Sequence, residues 1–154
     1  MAQSRIALIT GGMGGLGESI STKMHDAGFR VVVTHSPGNK NAAAWNAEMK
    51  SKGYDFHPVP VDVADFDSCQ KCVGTIQGEV GRIDILVNNA GITRDMTFRK
   101  MGKADWDAVM KTNLDSCFNM TKQVCDAMVD RGWGRVINIS SVNGQKGAFG
   151  QTNY

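Results

Sequence analysis

Five short apolar runs, mostly β-branched and each parted from the next by a stretch of helical period, constrain this 154-residue chain more than any other feature. Ile6-Ala7-Leu8-Ile9 leads through glycines into a helical stretch from Leu16 to Ala27, with Gly28 suited to the helix C′ position. Val31-Val32-Val33 follows, then a helix from Asn41 to Lys52 that Gly53 ends. Phe56 to Val61 is strand-like, with Pro58 and Pro60 expected at its ends or in an irregular stretch. Asp67 to Val80 reads as helix, with Asp65 or Asp67 as its N-cap, and Ile83-Asp84-Ile85-Leu86-Val87 as strand. A long helix from about Lys103 to Arg131, its start marked by Asp105, precedes the last strand, Gly134 to Ile139. Strands that alternate with helices form parallel βαβ units with right-handed crossovers. The expected fold is an α/β, Rossmann-type doubly wound parallel sheet in strand order 3-2-1-4-5. No linker or shift of composition divides residues 1–154, which read as one dinucleotide-binding domain.

Composition narrows the classes of function. A net charge of +2, with no basic stripe, gives no electrostatic reason to expect nucleic acid or a membrane surface as partner. The N-terminus runs straight into the first strand, which predicts no signal peptide, and the apolar runs are far shorter than the ~20 residues of a membrane span. A cytoplasmic location is expected. Cys69 and Cys72 form a Cys-x-x-Cys, but Cys117 and Cys125 do not complete a zinc site, so no metal is expected. A helix N-cap at Asp65 or Asp67 puts the pair a turn inside the helix, where they read as ordinary thiols of a reducing compartment.

Between the first strand and first helix stands Thr10-Gly11-Gly12-Met13-Gly14-Gly15-Leu16-Gly17. Glycines let a backbone turn sharply and approach a pyrophosphate, whose charge the helix N-terminus meets. Rossmann domains that bind NAD usually place a carboxylate after the second strand to hold the ribose 2′-hydroxyl. Here Thr34-His35-Ser36-Pro37-Gly38-Asn39-Lys40 has none, while Ser36 can donate a hydrogen bond and Lys40 a charge to a 2′-phosphate. NADPH is the expected cofactor; the bland alternative for Lys40 is a solvated lysine at a helix start. Asn113 is a poor residue for a helix interior, which hints at a task beyond helix formation.

The spacing Thr10-Gly11-x-x-x-Gly15-x-Gly17, Asn88-Asn89-Ala90-Gly91 after the fourth strand, and Ser141 thirteen positions before Tyr154 resemble the short-chain dehydrogenase/reductase family over the whole chain. The resemblance implies that Asp62 accepts from the adenine amino group with Val63 beside the ring, although Asp62 also reads as an N-terminal helix carboxylate. It implies that Asn89, Ala90 and Gly91 border the nicotinamide half of the cofactor. Asn113, Ser141 and Tyr154 would be catalytic: a proton from Tyr154, a hydrogen bond from Ser141, and a water on the Asn113 carbonyl that passes protons on. Ser140 neighbours that role, but the spacing favours Ser141.

Local wording is similar to one branch of the family, the acetoacetyl-CoA reductases of bacterial polyhydroxybutyrate synthesis, which use NADPH and form homotetramers. Ile92-Thr93-Arg94-Asp95, Phe98-Arg99-Lys100-Met101 and Asn143-Gly144-Gln145-Lys146-Gly147 carry this likeness. It implies that Asp95, Lys100, Phe149 and Gln151 line an acyl-CoA site, with Ala148 standing where glutamine is expected. The runner-up is a 3-oxoacyl-carrier-protein reductase, which shares Ile92-Thr93-Arg94-Asp95. In the family the tyrosine opens Tyr-x-x-x-Lys, and that lysine would fall four positions past Tyr154. The chain is therefore expected to lack its C-terminal part, to leave the fifth strand uncovered, and to be a poor catalyst alone. A reading of another class makes it a nucleotide-binding fragment without catalytic activity.

Overall fold

The computed structural model describes residues 4–154; residues 1–3, part of the N-terminus read as leaderless, lie outside them. Five parallel strands, β1 (Ile6–Ile9), β2 (Arg30–His35), β3 (His57–Pro60), β4 (Ile83–Asn88) and β5 (Arg135–Asn138), form one sheet in the order β3-β2-β1-β4-β5. This is the order expected from the alternation of runs and helices.

β1 shows why its four residues are all apolar. Ile6 and Leu8 point into one core, and Ala7 and Ile9 into another on the opposite face. Both faces are covered, so no polar alternation is possible. The first core packs α3 (Phe66–Glu79) and α5 (Ser116–Asp130) against the sheet through Val73, Ile76, Met120 and Val124. The second packs α1 (Gly15–Asp26) and α2 (Ala42–Ser51) through Ile20, Met24, Trp45 and Met49. Each fully buried Val, Leu, Ile or Met stabilises by about 1.5–3 kcal/mol. Among the described residues no helix is long and apolar enough to cross a membrane.

Helix ends shift from expectation by a residue. α1, α2 and α3 each begin a residue from the expected position and end a residue early, and Asp65 rather than Asp67 caps α3, accepting from Ser68 N–H at 2.6 Å. Of the prolines of β3, Pro60 ends the strand, as expected, whereas Pro58 lies inside it in regular pairing with β2. β3 is an edge strand, and Val61 N–H donates to the His35 carbonyl of β2. Amides of that parity face β2, so Pro58 and Pro60, of the opposite parity, lack N–H groups only on the open side.

The single long helix expected from Lys103 to Arg131 is broken. α4 (Lys103–Met110) passes through a π-helical stretch, Lys111–Asp115, before α5 begins. π-bulges inside helices are frequent at functional sites. Two elements were not foreseen: a 3₁₀ turn at Phe98–Lys100 and the short helix α6 (Val142–Lys146). At the other edge, Val136, Ile137 and Ile139 are 39%, 45% and 38% exposed, so β5 presents apolar surface that no described residue covers.

Candidate active site

The strand order reverses between β1 and β4, and the loops beyond their C-terminal ends part to leave a cleft of about 970 Å³. One wall is the glycine turn. Gly11 has φ of +62°, and its N–H donates to Thr34 Oγ1 at 3.2 Å. A Cβ on Gly17 would lie 2.1 Å from the Gly11 carbonyl oxygen and 2.8 Å from Asn89 Nδ2, so only glycine lets the helix start this close to the turn. Gly14, the N-cap of α1, provides no side-chain cap and lines the cleft, which leaves helix N–H donors for an incoming anion.

Thr10 is buried and joins this turn to the end of β4. Its Oγ1 accepts from the N–H groups of Asn89 and Ala90, each at 3.0 Å. Asn89 replies by donating Nδ2 to the Thr10 carbonyl at 3.0 Å and the Gly11 carbonyl at 3.3 Å. Thr10 and Asn89 therefore build the cradle from behind, while Asn89, Ala90 and Gly91 line it.

Asn113 comes to the opposite wall from the π-helical stretch. Its Oδ1 accepts from Ile92 N–H at 2.8 Å and its Nδ2 donates to the Ile92 carbonyl at 2.9 Å. Ser141 stands on the turn after β5 as the N-cap of α6, accepting from Asn143 N–H at 3.2 Å. Tyr154 is 40% exposed and borders the same cleft. Gly11, Gly14, Leu16 and Gly17 thus share one cavity with Asn113, Ser141 and Tyr154.

The remaining sequence-predicted residues stand apart from this cavity wall. Gly12 is buried against Val33, and Met13 packs on the second core; Gly15 opens α1. Ser36 and Lys40 are exposed beyond β2. Asp62 is exposed and accepts from Ala64 N–H at 3.0 Å, while Val63 is buried with its carbonyl held by Asn119 Nδ2 at 3.0 Å. Asp95 accepts from Gln151 Nε2 at 2.9 Å, whereas Lys100 is exposed and Phe149 is 93% exposed.

Sequence reasoning missed the residues that hold this site from behind. Ser21 donates to the Gly12 and Gly17 carbonyls, and Thr34 accepts from Gly11 N–H. The one available signal was a polar residue on an otherwise buried face. Cys69 and Cys72 are buried inside α3, and burial pushes their thiols up, from an ordinary 9.0 to about 11 and about 12. No group of three or more His, Cys, Asp or Glu among the described residues could hold a metal ion.

A doubly wound sheet with a glycine turn at its switch point defines a Rossmann-type α/β protein. More narrowly, the chain belongs to the short chain dehydrogenase family, whose model it matches over residues 5–154. That family works with a nicotinamide cofactor. The chain is 56% identical to the acetoacetyl-CoA reductase of Cupriavidus necator, over 97% of its own length and 61% of that protein. It is 53% identical to nodulation protein G of Azospirillum brasilense, over 97% and 61%. With the acetoacetyl-CoA reductase of Allochromatium vinosum it shares 52% identity, over 98% and 62%. The chain thus spans about three-fifths of the length of these relatives.

Proposed function

We propose that the protein containing this chain reduces acetoacetyl-CoA to (R)-3-hydroxybutyryl-CoA with NADPH, in polyhydroxybutyrate synthesis. One observation carries the reading: the family's Asn, Ser and Tyr positions, here Asn113, Ser141 and Tyr154, share a cleft with the glycine turn in a chain 56% identical to an acetoacetyl-CoA reductase.

The cradle fits a dinucleotide. Its glycines leave room that a Cβ would fill, and the α1 N-terminus has uncapped donors for a pyrophosphate. Ser36 and Lys40, with no carboxylate between them, suit a 2′-phosphate. Asp62 and Val63 would meet the adenine, and Asn89 to Gly91 the nicotinamide end. When bound, the nicotinamide supplies the hydride.

The chain's own residues manage the carbonyl oxygen. A hydroxyl has one proton and two lone pairs. Asn143 N–H occupies one lone pair of Ser141, so the Ser141 proton is free to point at a substrate oxygen. Tyr154 donates, from its phenol O–H, the proton that the reduced carbonyl must gain. Asp95, Lys100, Phe149 and Gln151 would face the acyl-CoA. We also propose a homotetramer in the cytoplasm, where the four free thiols suit a reducing environment.

The test is an assay of protein expressed from its full coding sequence. NADPH oxidation with acetoacetyl-CoA, yielding the (R) alcohol by chiral chromatography, is the expected result. A strong preference for longer 3-oxoacyl groups on carrier protein would move the assignment to that second thioester. No reduction of either would leave only the nucleotide-binding reading.

A further inference from the structure

One side chain ties two walls of the cleft together. The turn after β5 carries Ser141, and the loop after β4 carries Asp95. Between them Asn143 Nδ2 donates to Gln151 Oε1 at 3.1 Å, and Gln151 Nε2 donates to Asp95 Oδ2 at 2.9 Å. The backbone N–H of the same Asn143 donates to Ser141 Oγ. Two further contacts run alongside: Met96 N–H to the Gly150 carbonyl at 2.8 Å, and Asn153 Nδ2 to the Arg94 carbonyl at 3.2 Å.

Chemistry fixes the direction of this relay. An ionised Asp95 can only accept, so Gln151 must turn its NH₂ toward Asp95 and its oxygen away. That oxygen needs a donor, and Asn143 is the residue placed to supply one. A carboxylate at position 143 would set oxygen against oxygen. The Gln151–Asp95 contact is exposed, and the Asn143–Gln151 contact is half-buried. Bonds at such depth contribute modestly to folding, so their main effect is geometric.

We propose that Asn143 is a positioning residue for the acyl-thioester end of the site. Through Gln151 it holds Asp95 in register with the serine whose hydroxyl it also orients, so both sides of the substrate meet one fixed frame. This deepens the function proposed above and rests on it.

The test uses the full-length protein and three changes at one position: Asn143→Asp, Asn143→Ala and Asn143→Gln. Asn143→Gln keeps an amide donor for the Gln151 oxygen and leaves Asp95 and Gln151 themselves unchanged. Loss of one oriented contact is expected to raise KM for acetoacetyl-CoA about tenfold in Asn143→Asp and Asn143→Ala, while kcat and the NADPH dissociation constant stay within about twofold. Asn143→Gln should keep most of the wild-type KM, which a merely structural role would not produce. The NADPH constant reports folding independently, and Asn143→Ala introduces no new charge. An unmoved KM in Asn143→Asp and Asn143→Ala overturns the proposal, as does an Asn143→Gln variant no better than Asn143→Asp. A wild-type protein that reduces no 3-ketoacyl thioester sinks the function reading instead.

Discussion

Asn113 grips Ile92 with both halves of its amide, accepting from the Ile92 N–H at 2.8 Å and donating to the Ile92 carbonyl at 2.9 Å. The grip mimics a strand pairing, made by one side chain from inside a helix. It fixes the chain just past Gly91 onto the π-helical stretch, so the two sides of the cleft hold a constant separation. With both the oxygen and one N–H engaged, any proton-relay role for Asn113 falls to its backbone carbonyl.

Removing this grip should therefore loosen the cleft. Asn113→Ala leaves the Ile92 N–H and carbonyl without side-chain partners, at about 1–3 kcal/mol. Urea unfolding should show that loss, and NADPH binding should weaken alongside it. An unchanged midpoint with full binding would show that the Ile92 contacts are dispensable.

Two neighbouring glycines should respond in opposite ways. Gly17→Ala drives a Cβ to 2.1 Å from the Gly11 carbonyl oxygen, a backbone contact that cannot yield without moving the turn. Overpacking of this kind costs about 1–3 kcal/mol or more, and binding of NADPH should be lost. A Cβ on Gly14 meets nothing within 4 Å, so Gly14→Ala should stay within about 0.5 kcal/mol of wild type in the same unfolding assay. Equal costs at the two positions would contradict the packing of the turn.

The sheet could be read from the chain because buried parallel strands write themselves as continuous apolar runs, as Val31-Val32-Val33 and Ile85-Leu86-Val87 do. α6 could not: five residues containing Gly144 are too short to show a period. The π-helical break was hinted at only by an asparagine in a helix interior. Ser141 and Tyr154 were legible through their spacing and Asn113 through the family resemblance, and the structure brings all three to one cavity. What holds them was not, since Thr10 meets Asn89 across 79 positions and Asn143 meets Gln151 only once α6 has turned the chain. Such contacts are made by topology and leave no local pattern.

Cofactor preference should turn on Lys40. It is exposed and makes no side-chain ion pair among the described residues, so its charge is available to a 2′-phosphate. A charge-assisted hydrogen bond contributes about 1.5–3 kcal/mol, which is roughly 10–150-fold in affinity. Lys40→Ala should weaken NADPH by at least the lower figure and leave NADH nearly untouched, as read by titration with each nucleotide. The NADPH effect should also shrink as salt is raised. Equal losses for both nucleotides would place Lys40 elsewhere than at the 2′ position.

The four thiols should divide into two pairs. Cys69 and Cys72 are buried with their pKa values raised to about 11 and about 12, whereas Cys117 and Cys125 are half-buried. Only thiolate reacts, and at pH 8 a thiol of pKa near 11 is roughly one part in a thousand ionised. Labelling of the native protein with a disulfide reagent should therefore release two equivalents early, and the other two only on unfolding. The raised values also carry a stability consequence. Between pH 9 and about 11 the unfolded thiols ionise while the folded ones remain protonated, so the unfolded state holds fewer protons and folding weakens as pH rises through that window. Unfolding midpoints measured at pH 8 and pH 10.5 should fall by less in a Cys69→Ser, Cys72→Ser variant than in wild type. Equal falls in the two proteins would assign the alkaline loss to other groups.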